Sequence, residues 1–172
     1  MSGGVDSSAT AALMLEQYDV IGITLKLWPQ DCVNRAEDKC CGPQAVTDAR
    51  SVCHKLDIPY YLIDEAAEFQ KHVIQYFADE YKAGRTPNPC VMCNQNLKFG
   101  RLIDRADQLG AEFIATGHFA RIEKSADGTR ARARYLLKRG RDPRKDQSYF
   151  LFSLRQDQLA RASWSWRSEK RK

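Results

Sequence analysis

The feature that most constrains the fold of this chain is a glycine-rich string at its start, S-G-G-V-D-S-S over residues 2–8. Glycine reaches positive φ without steric cost, so adjacent glycines let successive backbone N–H groups point into one concavity. A helical pattern follows at once, and a helix N-terminus attracts anions because its first N–H groups have no intrahelical acceptor. The string lacks the lysine of a Walker-type loop, so it is not a phosphate-binding loop of that type. The string therefore predicts a phosphate-binding loop, and the alternative is a glycine turn with a serine N-cap.

The composition fits one globular domain. The chain has 172 residues, of which 43% are hydrophobic and 28% charged, an ordinary balance for a folded protein with a sizeable core. No apolar run approaches the roughly 20 residues that a membrane span needs, so we expect no membrane partner. The chain starts with a glycine loop instead of a secretory leader, which favours the cytoplasm. In that compartment the six cysteines are expected to be thiols or ligands instead of disulfides.

The order of apolar patterns predicts an α/β fold with a doubly wound, mostly parallel sheet. Helical periodicity marks residues 7–18, 44–56, 66–83 and 95–109, and short β-branched runs mark strands at 20–25, 58–63 and 112–118. Residues 119–137 are predicted to form a β-hairpin that turns at Asp127-Gly128. A phosphate loop normally follows a strand, so we expect the first strand of this sheet to be missing from the chain as given.

The predicted domain runs over residues 1–162, with a short helix near 156–162. Residues 163–172 have no packing period and predict a disordered or unrelated tail. Between the predicted strand 20–25 and helix 44–56, Cys32, Cys40 and Cys41 lack C-x-x-C spacing, which favours structural or incidental roles over metal binding. Cys53 lies on the apolar face of a predicted helix and is expected to be a buried small hydrophobe.

Positive charge is concentrated in one segment. The net charge of the chain is +5, but residues 121–145 hold ten Lys or Arg and three acids, so the rest of the chain is slightly acidic. Such a stretch suits a polyanionic partner such as RNA. The alternative is a solvated hairpin face.

A second candidate site is the stretch T-P-N-P-C-V-M-C-N at residues 86–94. Its two prolines, Pro87 and Pro89, predict a stiff loop without helix, followed by the predicted helix 95–109. Cys90 and Cys93 form a C-x-x-C pair just before that helix, where the helix dipole stabilises a thiolate and so a nucleophile. Redox exchange, metal binding and two incidental thiols remain alternatives.

Polar residues also follow a later predicted strand. Gly117 and His118 come at the carboxyl end of the strand at 112–118, the edge where open α/β sheets bind ligands. A lone histidine is usually structural, but this position favours a functional role. Further on, the polar triplet Lys145-Asp146-Gln147 precedes the apolar stretch S-Y-F-L-F.

The glycine string resembles the pyrophosphate loop of the ATP pyrophosphatase (PP-loop) superfamily, whose members cleave ATP between the α and β phosphates and adenylate a substrate oxygen. The strings S-G-G-V-D-S-S, T-P-N-P-x-x-x-C-N, A-T-G-H and K-D-Q-S-Y-F, in this order, resemble the bacterial tRNA-specific 2-thiouridylases. The resemblance runs from residue 2 to about residue 161. It implies the PP-loop fold, and it implies transfer of sulfur to C2 of the wobble uridine in tRNA, with a persulfide protein as sulfur donor.

The resemblance also implies roles for individual residues. Cys93 would be the catalytic nucleophile, with Cys90 as a second catalytic residue. ATP, with Mg²⁺, would be bound by Ser2, Gly3, Gly4, Asp6, Ser7, Leu25 and Gly117. The tRNA would be contacted by Asn88, Pro89, Cys90, His118, Lys145, Asp146 and Gln147, of which Asn88, Pro89 and Cys90 would meet the target base.

The chain departs from that family in two ways. Many relatives have an aspartate where this chain has Cys90, and the resulting Cys90–Cys93 pair leads to the hypothesis that both ligate a [4Fe–4S] cluster, as in a subset of sulfur-transfer enzymes. The family's second catalytic cysteine and its later tRNA-binding and β-barrel domains are expected to lie beyond this chain, and we therefore expect the chain as given to be inactive in thiolation.

Two other functions stay open at this point. One is another adenylating PP-loop enzyme, such as an amidotransferase-type synthetase. The other is a non-catalytic fragment that binds RNA through residues 121–145.

Overall fold

The structure is a computed structural model that describes residues 1–28, 43–125 and 134–164. The chain forms two compact units, Met1–Arg85 and Thr86–Lys172, and each is described by itself. Across the described residues, no helix combines the length and the apolar character needed to cross a membrane.

The first unit alternates helices and strands. Its elements in chain order are α1 (Val5–Met14), β1 (Gly22–Lys26), α2 (Pro43–Lys55), β2 (Tyr60–Asp64) and α3, a continuous helix made of Ala66–Phe69, a π-helical turn Gln70–Ile74 and Gln75–Lys82. β1 and β2 pair in parallel, from Gly22 opposite Tyr60 to Lys26 opposite Asp64. Their carboxyl ends therefore lie at one edge, where Lys26 Nζ and Asp64 Oδ2 form an ion pair at 3.0 Å.

The core of the first unit brings together α1, α2 and the residues just before β2. Ala11, Cys53 and Ile58 are buried there, and the Cys53 side chain has no exposed area. Gly22 at the start of β1 is required by this packing, because a Cβ at that position would lie 2.3 Å from Cys53 Sγ. The expectation that Cys53 is a buried hydrophobe is confirmed.

The second unit begins with α4, a continuous helix made of Pro89–Cys93, a π-helical segment Asn94–Arg101 and Leu102–Gln108. The strands are β3 (Ile114–Thr116), β4 (Ala120–Lys124), β5 (Tyr135–Arg139) and β6 (Ala162–Trp164); a 3₁₀ turn (Ser148–Leu151) and α5 (Gln156–Arg161) lie between β5 and β6. β3 and β6 pair in parallel, whereas β4 and β5 pair antiparallel. The core of this unit collects Phe99, Ile114, Ala120, Ile122, Leu151, Leu154 and Leu159.

A buried glutamine contacts the π-helical segment of α4. Gln158 of α5 is 2% exposed, and its Nε2 donates to the carbonyl oxygens of Gln95 at 3.0 Å and Phe99 at 2.6 Å. The Gln158 side chain therefore stabilises the wide helix that follows Cys93.

The predicted α/β class is confirmed, and the described strands form three two-stranded sheets, of which two are parallel. The predicted helix over 66–83 is also present, and it ends before Gly84, which has a φ of 71°. The loop that carries Cys32, Cys40 and Cys41, and the predicted turn at Asp127-Gly128, lie outside the described residues.

Several boundaries differ from the sequence predictions, and two of the differences change an interpretation. The helix predicted at 95–109 begins at Pro89, because proline is tolerated at the first helical position, where its missing N–H group would have no intrahelical partner. The tail predicted from residue 163 is wrong for its first two residues, since Ser163 and Trp164 pair with β3 in the sheet. The rest of that tail, residues 165–172, lies outside the described part of the chain.

Candidate functional site

The glycine loop is held against α2 by a glycine that no other residue could replace without strain. Gly3 has a φ of 71°, in the left-handed region that favours glycine. A Cβ at Gly3 would lie 2.6 Å from the Cβ of Asp48, 3.0 Å from the amide nitrogen of Ala49 and 3.1 Å from the carbonyl oxygen of Ala45. The backbone of the loop therefore approaches α2 more closely than any side chain would allow.

Two serines close the loop. The Oγ atoms of Ser2 and Ser7 lie 3.3 Å apart, and the amide of Ser2 donates to Ser7 Oγ at 3.3 Å. The hydroxyls of Ser7 and Ser8 both donate back to the carbonyl oxygen of Gly4, at 3.0 and 2.9 Å. These bonds bend the predicted phosphate-binding string into a single compact turn at the start of α1.

The first turn of α1 has the donors that an anion needs. Gly4 is its N-cap residue and no side chain caps the helix, so the N–H groups of its first turn are not satisfied by an N-cap side chain. Asp6 is exposed in the same turn. The structure thus brings Ser2, Gly3, Gly4, Asp6 and Ser7 together, and their backbone can hold a phosphate group.

Leu25, the adenosine contact implied by the resemblance, lies on β1 opposite Ile63 of β2 and is half-buried. The strand runs beside the start of the loop, because Thr24 Oγ1 donates to the carbonyl oxygen of Met1 at 2.7 Å and the Met1 amino group donates to the carbonyl oxygen of Ile23. Gly117, the other implied adenosine contact, belongs to the second unit.

The two thiols of the second unit lie in the first turn and a half of α4. Asn88 caps this helix, since its Oδ1 accepts from the amide of Val91 at 3.2 Å, and Pro89 is the first helical residue. Cys90 is exposed, Cys93 is half-buried, and neither is in a disulfide. The C-x-x-C pair is therefore part of the helix instead of preceding it.

Two contacts tie α4 to the segments that carry the other candidate residues. Asn94, 3% exposed, donates from Nδ2 to the carbonyl oxygen of Phe150 at 3.0 Å. The ring of Phe99 lies 6.0 Å from the ring of His118, centroid to centroid. The thiol helix therefore packs beside both the 3₁₀ turn and the residues that follow β3.

His118 lies two residues after the end of β3, at the carboxyl end predicted for it, and its Nδ1 lies 2.8 Å from Thr116 Oγ1. Burial, with a smaller contribution from the charge of Lys98, lowers the pKa of His118 to about 4. The imidazole is therefore neutral at pH 7 and can form hydrogen bonds without carrying a positive charge. Sequence reasoning overlooked Lys98, whose only signal is its place one and a half turns after Cys93 on the same helix.

The triplet Lys145-Asp146-Gln147 divides into two kinds of residue. Asp146 and Gln147 bind the chain's own backbone: Asp146 Oδ1 accepts from the amide of Gly140 at 2.7 Å, and Gln147 Oε1 accepts from the amide of Phe119 at 3.0 Å. Partial burial raises the pKa of Asp146, but the hydrogen bonds from Gly140 and Ser148 outweigh it and the pKa is lowered. Lys145 is exposed, with Nζ 5.3 Å from the centre of the Phe119 ring.

The basic segment is partly neutralised within the described residues. Glu123 forms ion pairs with Arg121 at 3.3 Å and with Lys138 across the β4–β5 pair, and Asp142 pairs with Arg144 at 3.4 Å. Arg130 and Arg132 lie outside the described part. The cations near the triplet that a polyanion can reach include the exposed residues Arg141, Arg144 and Lys145.

The described ranges contain no group of three His, Cys, Asp or Glu side chains that could hold a metal ion. Cys90 and Cys93 are thus two thiols on one helix, and a cluster ligated by them would need its remaining ligand from elsewhere.

Comparison with known proteins agrees with these features. The model of the family described as "tRNA methyl transferase HUP domain" matches residues 1–170. The relatives include proteins named tRNA-specific 2-thiouridylase MnmA: that of Heliobacterium modesticaldum is 53% identical over 94% of this chain and 41% of its own length. Those of Geobacter metallireducens and a Clostridium botulinum strain are 50% and 52% identical, over 95% and 93% of this chain.

The chain spans less than half the length of these relatives, between 41% and 45%. The α/β class, the glycine loop at the start of α1 and the match over residues 1–170 agree with one another. The chain belongs to the family of tRNA methyl transferase HUP domains, and the resemblance to tRNA-specific 2-thiouridylases is confirmed.

Proposed function

We propose that this chain is the ATP-binding part of an enzyme that replaces the C2 oxygen of the wobble uridine of tRNA by sulfur. The observation that carries the proposal is the loop at residues 2–8, where Gly3 packs on α2 and an uncapped helix N-terminus faces outward, in a chain half identical to proteins named tRNA-specific 2-thiouridylase. The activity, the substrates and the partners named below are parts of this proposal.

The loop would bind the pyrophosphate portion of ATP. Its first-turn N–H groups and the α1 dipole stabilise negative charge on the phosphates, and the hydroxyls of Ser2 and Ser7 lie at the rim of the same turn. Leu25 in the first unit and Gly117 in the second are each proposed as adenosine contacts, as the resemblance implies. Mg²⁺ would be held by Asp6 and would offset the charge that develops on the pyrophosphate as it leaves.

The chemical steps follow from the weak electrophilicity of the uracil C2 carbonyl. Attack of the C2 oxygen on the α-phosphate of ATP releases pyrophosphate and makes AMP the leaving group. A hydrosulfide sulfur, or the outer sulfur of a persulfide on Cys93, then attacks C2, the C–O bond breaks and AMP departs. With a persulfide, a second thiol must then attack the Cys93 sulfur, which forms a disulfide and leaves C2=S on the base.

The second unit would supply the sulfur chemistry and the base contacts. Cys93 is the proposed nucleophile because it is half-buried near the N-terminus of α4, and the exposed Cys90 would meet the target base together with Asn88 and Pro89. An anticodon nucleotide can leave its stack at little cost, so its base can reach the protein. His118, neutral at pH 7, would hydrogen-bond the tRNA.

The partners and the compartment complete the proposal. A persulfide-carrying protein would donate the sulfur, and tRNA would be drawn by the basic segment 121–145. Both are found in the cytoplasm, which is where we place the protein.

A [4Fe–4S] cluster bound by Cys90 and Cys93 is kept as a second hypothesis for sulfur delivery. The two thiols fit as two of its ligands, and the third would have to come from outside the described residues. Anaerobic reconstitution with iron and sulfide tests the hypothesis. A broad visible absorbance band that is lost in Cys90→Ala would support it, whereas a colourless protein with no bound iron would refute it.

Pyrophosphate exchange tests the enzymatic part. We expect the protein to incorporate labelled pyrophosphate into ATP when a tRNA transcript with an unmodified wobble uridine is present, and we expect Asp6→Ala to abolish the incorporation. Exchange supported by a small-molecule carboxylate instead of tRNA would indicate an amidotransferase-type synthetase. RNA binding without any ATP binding would indicate a non-catalytic RNA-binding fragment.

A further inference from the structure

Asp146 uses its carboxylate inside the protein. Besides accepting from the amide of Gly140, Oδ1 accepts from the amide of Ser148 at 3.2 Å, and Oδ2 accepts from the hydroxyl of Ser148 at 2.8 Å. The three donors belong to the chain itself and lie on both sides of the segment 141–145. A carboxylate with three such bonds fixes the positions of the two ends of that segment. Its negative charge would also repel a phosphate group of RNA.

Gln147 forms two hydrogen bonds with Phe119, which lies 28 positions earlier in the sequence. Its Oε1 accepts from the amide of Phe119 at 3.0 Å, and its own amide donates to the carbonyl oxygen of Phe119 at 2.9 Å. Gly140 closes the same junction, since a Cβ there would lie 2.7 Å from the Phe119 carbonyl oxygen. The peptide groups of Phe119 are therefore fixed from two sides, and Phe119 is the neighbour of His118.

We propose that Asp146 and Gln147 are positioning residues that fix the turn carrying His118 and Phe119, and that Lys145 is the member of the triplet that contacts RNA. The RNA part of this inference rests on the proposed function. The resemblance implies a tRNA contact for all three residues, so the inference reassigns two of them.

The position of Lys145 follows from that arrangement. Its ammonium group lies over the face of the Phe119 ring at 5.3 Å, a cation–π geometry that directs the side chain without removing it from solvent. When Gln147 holds Phe119, it also holds the ring that orients Lys145. The same bond keeps His118 at the end of β3, where Thr116 and Phe99 contact its ring.

Matched pairs of variants separate the two roles. Asp146→Asn and Asp146→Ala both remove the charge, but only alanine removes the acceptors. Gln147→Glu keeps the acceptor for the Phe119 amide and adds a negative charge, whereas Gln147→Met removes the acceptor. Hydrogen exchange of the Phe119 and Gly140 amides reports the turn, and a thermal melt of each variant reports global folding.

We expect the Phe119 amide to exchange at least about tenfold faster in Gln147→Met and within about threefold of wild type in Gln147→Glu, because one lost hydrogen bond corresponds to about tenfold in opening. The Gly140 amide should behave in the same way in Asp146→Ala and Asp146→Asn. Unchanged protection in both acceptor-free variants would overturn the positioning role.

The RNA contact of Lys145 is tested by measuring the affinity of each variant for a tRNA transcript with an unmodified wobble uridine. We expect Lys145→Ala to weaken binding about fivefold at ~0.1 M salt with normal Phe119 exchange, since one phosphate contact is lost. Asp146→Asn and Gln147→Glu should bind within about threefold of wild type. Loss of binding in either of these variants, with normal exchange, would instead assign a direct RNA contact. Wild-type protein that binds no tRNA would contradict the proposed function and the Lys145 contact, while the exchange measurement would still decide the positioning role.

Discussion

The side-chain amide of Gln158 donates to the carbonyl oxygen of Phe99 at 2.6 Å, across 59 residues of sequence, and both residues are buried. The same Nε2 also reaches the carbonyl oxygen of Gln95, and Gln158 Oε1 accepts from the amide of Arg155. One side chain thus joins α5 to the π-helical part of α4, directly after the proposed nucleophile Cys93. The geometry of the thiol helix depends on a residue that is far away in sequence.

Gln158→Leu should lower the free energy of unfolding by about 1–3 kcal/mol, because it removes two hydrogen bonds that a buried amide group donates to carbonyl oxygens of α4. Chemical denaturation measures the change. The matched control is Gln156→Leu: Gln156 makes a similar pair of bonds to the backbone of Tyr135, but in an exposed position where water replaces them. Equal losses in the two variants would contradict the importance of burial.

Gly3→Ala should lower the affinity for ATP and destabilise the first unit. The substitution places an alanine in the left-handed region of backbone conformation and puts its Cβ 2.6 Å from the Cβ of Asp48. The expected cost in the free energy of unfolding is about 2–4 kcal/mol, the sum of backbone strain and overpacking. Gly84→Ala is the control, because Gly84 has the same φ of 71° but no atom within 4 Å of its added Cβ. That variant should lose only about 1 kcal/mol and keep ATP affinity. Calorimetric titration with ATP and urea unfolding distinguish the two.

Gly22→Ala should destabilise the first unit through its contact with Cys53, and removal of Sγ should relieve the clash. The expected coupling between Gly22→Ala and Cys53→Ala is about 1–3 kcal/mol in the free energy of unfolding, with the double variant more stable than additivity predicts. Urea unfolding of the four proteins of the cycle measures it. Strict additivity would show that the two positions are independent.

The low pKa of His118 predicts a dependence of stability on pH. Burial, then the charge of Lys98, lowers the pKa of His118 from 6.5 to about 4. Between these values the unfolded chain binds a proton that the folded chain does not, so stability falls as the pH is lowered from about 6.5 to about 4. The loss from this group should reach about 2–3 kcal/mol.

Urea unfolding of wild type and His118→Asn over this pH range isolates the histidine, because the variant should lose that part of the slope. An NMR titration of the imidazole gives the pKa directly. A midpoint near 6.5 in the folded protein would contradict the prediction.

Much of the fold and the identity of the candidate loops followed from local sequence. The β-branched run before Lys26, the apolar stripe of α3 and the glycines of residues 3 and 4 each act over a few residues, so their patterns are visible in the chain. The start of α4 at Pro89 was missed because proline disrupts a helix interior but is tolerated at the first helical position, where its missing N–H group would have no intrahelical partner. The same residue can therefore indicate either a loop or the start of a helix.

The tertiary structure decided which residues distant in sequence contact one another. The amino acids alone predicted a phosphate-binding glycine loop, a C-x-x-C pair next to a helix and a polar residue at a strand end. Only the folded chain showed that Gly3 is required by the backbone of α2, that Gln158 satisfies the widened turn after Cys93, and that Gln147 holds the backbone beside His118. The physical reason is that side-chain packing and hydrogen bonds join positions 28 to 59 residues apart. A local sequence pattern reflects only interactions between residues a few positions apart, so it does not identify such partners.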